Sequence, residues 1–211
     1  MKSIRVGSMA LATSALLIGS TGCLGHQTAT SARTLDAGRT EVTASAAVDW
    51  IVFPQGRLQV RHGLSDRVEL GAGLGANGLS VHSKFGLVRS GAQDGANVAI
   101  GPTVHGFTGN LGGHPRTEMG AFLPLLLGVR IQGNEVTLAP YVGWQRVIGV
   151  PDSTTTNDHQ TFYGGATLGV AMRVGGSFLL TPELGLKVLT DASQEYFSAI
   201  PTLGLSFTWG R

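Results

Sequence analysis

The side chains best suited to acid–base chemistry are His82, His105 and Glu118, with His114, Asp152, Asp158 and His159 in more polar stretches. Hydrolysis would need a nucleophile or an activated water, a base and an orienting acid within hydrogen-bond reach. His82 and His105 fall in consecutive alternating segments and Glu118 falls in the next. The chain has no G-x-S-x-G and no H-E-x-x-H, so neither a strained serine elbow nor a helical zinc pair is signalled. Asp152, Asp158 and His159 could ligate a metal together, but a polar, solvated loop is the simpler account. Scattered histidines are more often structural or solvated, so no catalytic, cofactor-binding or metal residue is assigned. Gly71-Ala-Gly-Leu-Gly75 is not a phosphate loop, because it sits inside strand alternation with no helix behind it. Its glycines are expected to make room for bulky neighbours.

A second set of polar residues shares one face of the alternating segments. It comprises Arg57, Arg61, Arg67, Glu69, His82, Lys84, His105, Glu118, Arg130, Glu135, Tyr141, Tyr163, Arg173, Glu183 and Lys187. Facing inward in a barrel, they would line either a narrow polar channel or pocket, or a plug. The plug is favoured, because a small barrel is mostly filled by its own side chains. Opposite charges would then pair, since an unpaired buried charge is costly.

The elements that position these residues are strands. Glu135–Trp144 alternates Val136, Leu138, Pro140, Val142 and Trp144 with Glu135, Thr137, Ala139, Tyr141 and Gly143. A period of two means strand, with one apolar and one polar or small face. Similar runs are predicted over 39–53, 55–64, 67–77, 79–89, 96–108, 117–132, 135–144, 161–174, 178–190 and 196–209. Each has about ten residues or more, enough for a tilted strand to cross a membrane. About ten strands result, an even number, with eight the alternative if the first pair does not span. The fold class expected is an all-β, transmembrane, antiparallel up-and-down β-barrel. Asn77-Gly78 signals a two-residue hairpin. Long loops are expected after strands five, seven and nine, with 109–116 and 149–160 among them; short turns are expected after strands two, four, six and eight. Pro102, Pro124, Pro140, Pro182 and Pro201 recur inside strands, where bulges or kinks would accommodate them.

Apolar-face aromatics sort to the strand ends. Trp50, Trp144, Phe162 and Phe197 fall at the outer ends; Phe178, Phe207 and Trp209 fall at the periplasmic ends. Two interface girdles follow.

Composition agrees. Of 211 residues, 13% are charged, about half the usual share. No apolar run after the leader reaches the ~18–20 residues of a helical span. A net charge of +2 without basic clusters gives nucleic-acid binding no support. A single Cys excludes an intrachain disulfide and a multi-Cys metal site.

Residues 1–22 read as an export signal: Lys2 and Arg5, then an apolar stretch from Met9 to Ile18 too short to span. The ending Gly19-Ser20-Thr21-Gly22-Cys23 resembles a lipoprotein signal, with Ser20 departing from the usual Leu. That resemblance implies cleavage before Cys23 and its acylation with diacylglycerol and an N-acyl lipid. Leu24 resembles the sorting pattern for the outer membrane. Residues 23–38 would be a lipid-anchored periplasmic tether and 39–211 the barrel.

Gly63-Leu-Ser-Asp-Arg-Val-Glu-Leu-Gly71 resembles a tight periplasmic hairpin common in bacterial outer-membrane barrels. The final Leu203-Gly-Leu-Ser-Phe-Thr-Trp209 resembles the C-terminal signal that the barrel-assembly machinery reads, although Gly210 and Arg211 follow it. The resemblance implies a bacterial outer-membrane location. Its implied partners are outer-membrane lipid, the lipoprotein-sorting and barrel-assembly machineries and a possible small solute, with no cofactor. The expected role is structural, or that of a narrow passive channel. Two alternatives stand beside it: a soluble, lipid-tethered, lipocalin-like barrel holding an apolar ligand, and a small outer-membrane barrel hydrolase. The lipocalin-like form would invert the faces.

Overall fold

The computed structural model describes residues 31–49, 52–75, 78–91, 93–111, 114–149, 158–191 and 197–210. The leader, Cys23, Trp50 and Asp152 lie outside them, as do the side chains of His114, His159 and Phe197. The described residues form β1 (Thr40–Asp49), β2 (Val52–Ser65), β3 (Val68–Gly75), β4 (Gly78–Val88), β5 (Gly95–Ile100), β6 (Thr103–Leu111), β7 (His114–Ile131), β8 (Asn134–Gly149), β9 (Asp158–Arg173), β10 (Phe178–Asp191) and β11 (Phe197–Gly210). Neighbouring strands are antiparallel, and β1 pairs with β11 from Glu41↔Gly210 to Asp49↔Thr202. That last pairing closes the sheet and leaves no edge, the condition for spanning lipid with strands.

Strands β5 and β6 are halves of one wall strand. Phe85↔Ile100 and His82↔Thr103 keep one register against β4. Ile100↔Leu125 and Thr103↔Phe122 keep one register against β7. Pro102 has no N–H to donate, so the ladder breaks there. Ser83 N–H to Pro102 O at 3.0 Å and Gly101 N–H to Pro124 O at 3.1 Å carry it across. The wall is therefore a closed, antiparallel, ten-strand up-and-down barrel, not an eight-strand one.

The two faces are those of a membrane barrel. Leu79 is 68% exposed, Val142 63% and Leu203 63%, and the alternating aliphatic positions of every wall strand join them outside. The intervening residues are buried and mostly polar, among them Thr43, Gln59, Asn97, Thr137, Thr167 and Ser206. A continuous apolar belt of this kind is a lipid-facing surface. The inverted, lipocalin-like arrangement is thereby corrected. Trp144 faces Phe162 across β8 and β9 at one end, and Phe178 faces Trp209 across β10 and β11 at the other, with Phe207 near Trp209. These pairs stand at opposite ends of the wall; Trp50 and the Phe197 side chain, expected in the outer rim, lie outside the described residues.

Several boundaries differ from expectation. The first strand stops at Asp49, and residues 52–54 belong to β2. Pro54 stays in the strand because the register shifts between Ala47 and Asp49 opposite it, where no amide donor is needed. The polar stretch 109–116 is not a long loop. The hairpin runs on to Leu111↔His114, and β8 and β9 similarly extend to Ile148↔Asp158. Gly75↔Gly78 closes the β3–β4 hairpin, one residue earlier than Asn77-Gly78 implied. The proline repeat makes no bulges: Pro124↔Tyr141, Pro140↔Ala166, Pro182↔Leu205 and Leu186↔Pro201 sit in unbroken register. Bulges fall instead near Ala47, Ser65 and Gly86.

Candidate functional site in the barrel lumen

The lumen is built in layers. At the end carrying the β2–β3, β7–β8 and β9–β10 turns, buried charges pair directly across hairpins. Glu69 and Lys84 are cross-strand partners, and Lys84 Nζ lies 2.9 Å from Glu69. Glu41 and Arg61 are cross-strand partners with a 2.9 Å ion pair, and Arg61 also reaches Glu69 at 3.5 Å. Arg130 and Glu135 flank the Gln132-Gly133 turn as partners, 3.0 Å apart. The period of two sends all these side chains inward, and the antiparallel register sets opposite charges abreast.

Residues 31–37 of the expected tether fold into this mouth. The Ala32 N–H donates to Glu135 Oε1 at 2.5 Å and the Leu35 N–H to Glu69 Oε2 at 2.9 Å. Lys84 Nζ donates to the Ser31 and Arg33 carbonyls at 3.1 Å each. Thr34 Oγ1 donates to Asp66 O at 2.6 Å, while Asp36 accepts from Arg33 at 2.8 Å and from Arg89. Wall glycines clear the space. A Cβ on Gly128 would stand 2.7 Å from Ala32 Cβ, one on Gly86 3.1 Å from Thr34 Oγ1, and one on Gly63 would overlap the Asp36 carbonyl. Ala32, Thr34 and Leu35 are buried as a result. The segment lacks the alternation of a strand, so the sequence reading passed over it; the one available signal was three inward glycines near one end.

Above this layer, Arg57 Nη2 donates to Ser80 Oγ at 2.7 Å, and the Gln59 amide bonds His82 Nε2 at 2.8 Å. Gly71 and Gly73 face His82 and Ser80, where side chains would collide; the glycine-rich run makes room for lumen neighbours. Ala99, Leu126 and Ala139 join Ala32 in an apolar patch. Farther along, Phe122, Tyr141 and Tyr163 cluster with Leu189. The tyrosine rings meet edge to face at 6.4 Å, and Lys187 Nζ lies 4.9 Å over the Tyr163 ring. Phe122 is an inward aromatic that the sequence reading did not single out.

Arg57, Arg61, Glu69, His82, Lys84, His105, Glu118, Arg130, Glu135, Tyr141, Tyr163, Glu183 and Lys187 are thus buried or half-buried inside. Arg67 is exposed in the β2–β3 turn, one residue before the strand that was to carry it inward. Arg173 ends β9, exposed at the rim of the mouth. His82, His105 and Glu118 do occupy adjacent strands. Among the described residues the His82 ring bonds Gln59, and Ser80 Oγ bonds Arg57 and the Gly73 carbonyl. Asp158 accepts two bonds from Arg146, at 3.0 and 2.7 Å. No group of three potential metal ligands forms among the described residues.

Two lumen cavities stand out. One of about 150 Å³ lies in the mouth beside residues 31–36, and one of about 30 Å³ lies beside Gln59, His82 and Phe122. About 10–15 Å³ on this measure holds one water.

No family model matches the chain, and no curated protein matches it. Solved structures resembling it include bacterial outer-membrane β-barrels. Ail of Yersinia pestis is 8% identical, with 83% of this chain and 99% of Ail covered and a TM-score of 0.38. The N-terminal β-barrel domain of Pseudomonas aeruginosa OprF is 11% identical, with 83% and 100% covered and a TM-score of 0.36. The outer-membrane protease OmpT of Escherichia coli is 9% identical, with 82% and 92% covered and a TM-score of 0.39. The barrel assignment stands on the closed ladder and the exposed apolar belt.

Proposed function

We propose that this chain is an outer-membrane lipoprotein whose barrel is occluded and whose role is structural, with a lipidated Cys23 anchoring the N-terminus in the periplasm. The observation that carries the reading is the docked segment: its backbone amides donate to Glu69 and Glu135, carboxylates that are 0% and 1% exposed. A conducting lumen needs a continuous polar path. Here ion pairs, an apolar patch and an aromatic cluster follow one another along the axis. Lipid and the barrel-assembly and lipoprotein-sorting machineries are the partners this reading needs, with no cofactor.

Fractionated membranes test it. The folded protein should stay in the outer-membrane fraction until detergent is added and should shift in mobility on boiling. Because the barrel itself is held by its apolar belt, Cys23→Ala should abolish acyl labelling without releasing the protein into buffer. Release of Cys23→Ala into buffer, with no mobility change on heating, would overturn the reading.

A further inference from the structure

The mouth cavity of about 150 Å³ is lined by Arg33, Arg39, Arg61, Arg130 and Arg173 against the carboxylates of Asp36 and Glu41. We propose that this basin is a binding site for a small oxyanion of the phosphate class. The inference rests on the docked position of residues 31–37 and is independent of whether the barrel conducts.

Charge balance is the first argument. Asp36 is shared among Arg33 at 2.8 Å, Arg39 at 3.7 Å and Arg89. Arg89 also reaches Asp66 at 3.8 Å, so within the lining the one Asp36 carboxylate serves both Arg33 and Arg39. Glu41 is already held by Arg61, and Glu135 by Arg130. Arg173 lines the same cavity, and no carboxylate among the described residues lies within ion-pair distance of it. The basin keeps a positive surplus inside low-dielectric walls, where a counter-charge is held more strongly than in open water.

Unspent donors are the second argument. Arg61 is 3% exposed and Arg33 is largely buried, and the Nε–H of each makes no hydrogen bond. Buried donors are nearly always satisfied, and a guanidinium fork matches the oxygens of a phosphate or carboxylate. Thr208 and Ser31 also line the basin, with their hydroxyls already bonded to Thr43 and to the Arg33 carbonyl. The volume exceeds that needed by a few waters and suits a compact polyatomic anion. Phosphate is favoured over a carboxylate because its oxygens radiate in several directions, as the arginines converge from several strands and from the docked segment. The barrel wall surrounds the basin, so a freely diffusing anion reaches it more readily than a lipid headgroup.

The test is calorimetric titration of the full-length protein, folded in phosphate-free zwitterionic detergent, with inorganic phosphate at ionic strength held constant by chloride. Saturable one-site binding is expected. Arg173→Ala, which removes an exposed rim residue without disturbing a buried pair, should weaken it about tenfold, the usual scale for one charged hydrogen-bonding partner. Arg67→Ala, an exposed arginine at the same end but outside the lining, should bind as the parent does. Phosphatidylglycerol added to the micelles separates the sources. No competition supports a free anion; competition keeps the phosphate chemistry and assigns the site to a headgroup. The proposal is overturned by heats no larger than those of added chloride, or by an Arg173→Ala protein that binds phosphate like the parent.

Discussion

The Ala32 amide and the Glu135 carboxylate, 103 residues apart in sequence, meet at 2.5 Å inside the barrel mouth. On its other side Glu135 faces Arg130 at 3.0 Å. One fully buried carboxylate thus joins the wall to the N-terminal segment. Glu135→Ala leaves the Arg130 charge inside the barrel and strips the acceptor from the segment. Breaking a buried pair in this way costs about 3–5 kcal/mol. Urea unfolding of the detergent-folded protein should show a loss of that order. A loss below about 1 kcal/mol, the scale of surface pairs, would mean that the mouth is open to water.

Gly128 offers a way to displace the segment while keeping the charges. A Cβ there would meet the Glu135 carboxylate and Ala32. Gly128→Val should therefore push residues 31–37 out of the mouth and leave the wall intact. Trypsin cleavage after Arg33 and Arg39 should speed up in the variant, while its mobility on a gel still depends on boiling. Gly175→Ala alters a turn glycine with open space around it but a φ of 68°; it should strain the β9–β10 turn and leave cleavage unchanged.

The segment's pH response follows from Asp36. Burial pulls this carboxyl up, but the hydrogen bond and charge of Arg33, and then those of Arg89, hold it below its usual 3.8. Its folded value is below its unfolded one, so the stability it contributes is present above the unfolded value and lost as pH falls through the folded value. Docking should be flat from about pH 8 to pH 5 and weaken only in stronger acid. Fluorescence anisotropy of a label on Ser31→Cys, in a Cys23→Ala background, reads this directly. Loosening near neutral pH would assign control to another group.

Leu184 and Leu203 are cross-strand partners on the outer face, 59% and 63% exposed. In lipid, Leu203→Arg should cost about 2–4 kcal/mol, the range for a cation near the bilayer midplane of a barrel. A surface facing water would tolerate it within about 0.5 kcal/mol. Unfolding in vesicles separates the two.

Much of this was legible from alternation. Period-two patterning placed Glu69, Lys84 and Glu135 inside and Leu184 and Leu203 outside, because a strand allows only two faces. Turn chemistry was less legible. Residues 109–116 look polar enough for a loop, yet inter-strand bonding carries the hairpin through them to Leu111↔His114. The prolines misled because a missing amide matters only where the ladder needs a donor, and Pro182 keeps its register with Leu205. Docking of residues 31–37 depends on Glu69 and Glu135 converging from distant hairpins, so beyond the inward Gly63, Gly86 and Gly128 local pattern carries no sign of it.

Planar-bilayer recording tests the central claim most directly. The full-length protein, inserted from detergent and shown to be folded by its heat-dependent mobility, should add no stepwise current if, as proposed, residues 31–37 and the Phe122, Tyr141 and Tyr163 cluster occlude the lumen. Stable ohmic steps from the full-length chain, persisting after the anion basin is saturated with phosphate, would contradict an occluded barrel and identify the lumen as a conducting path.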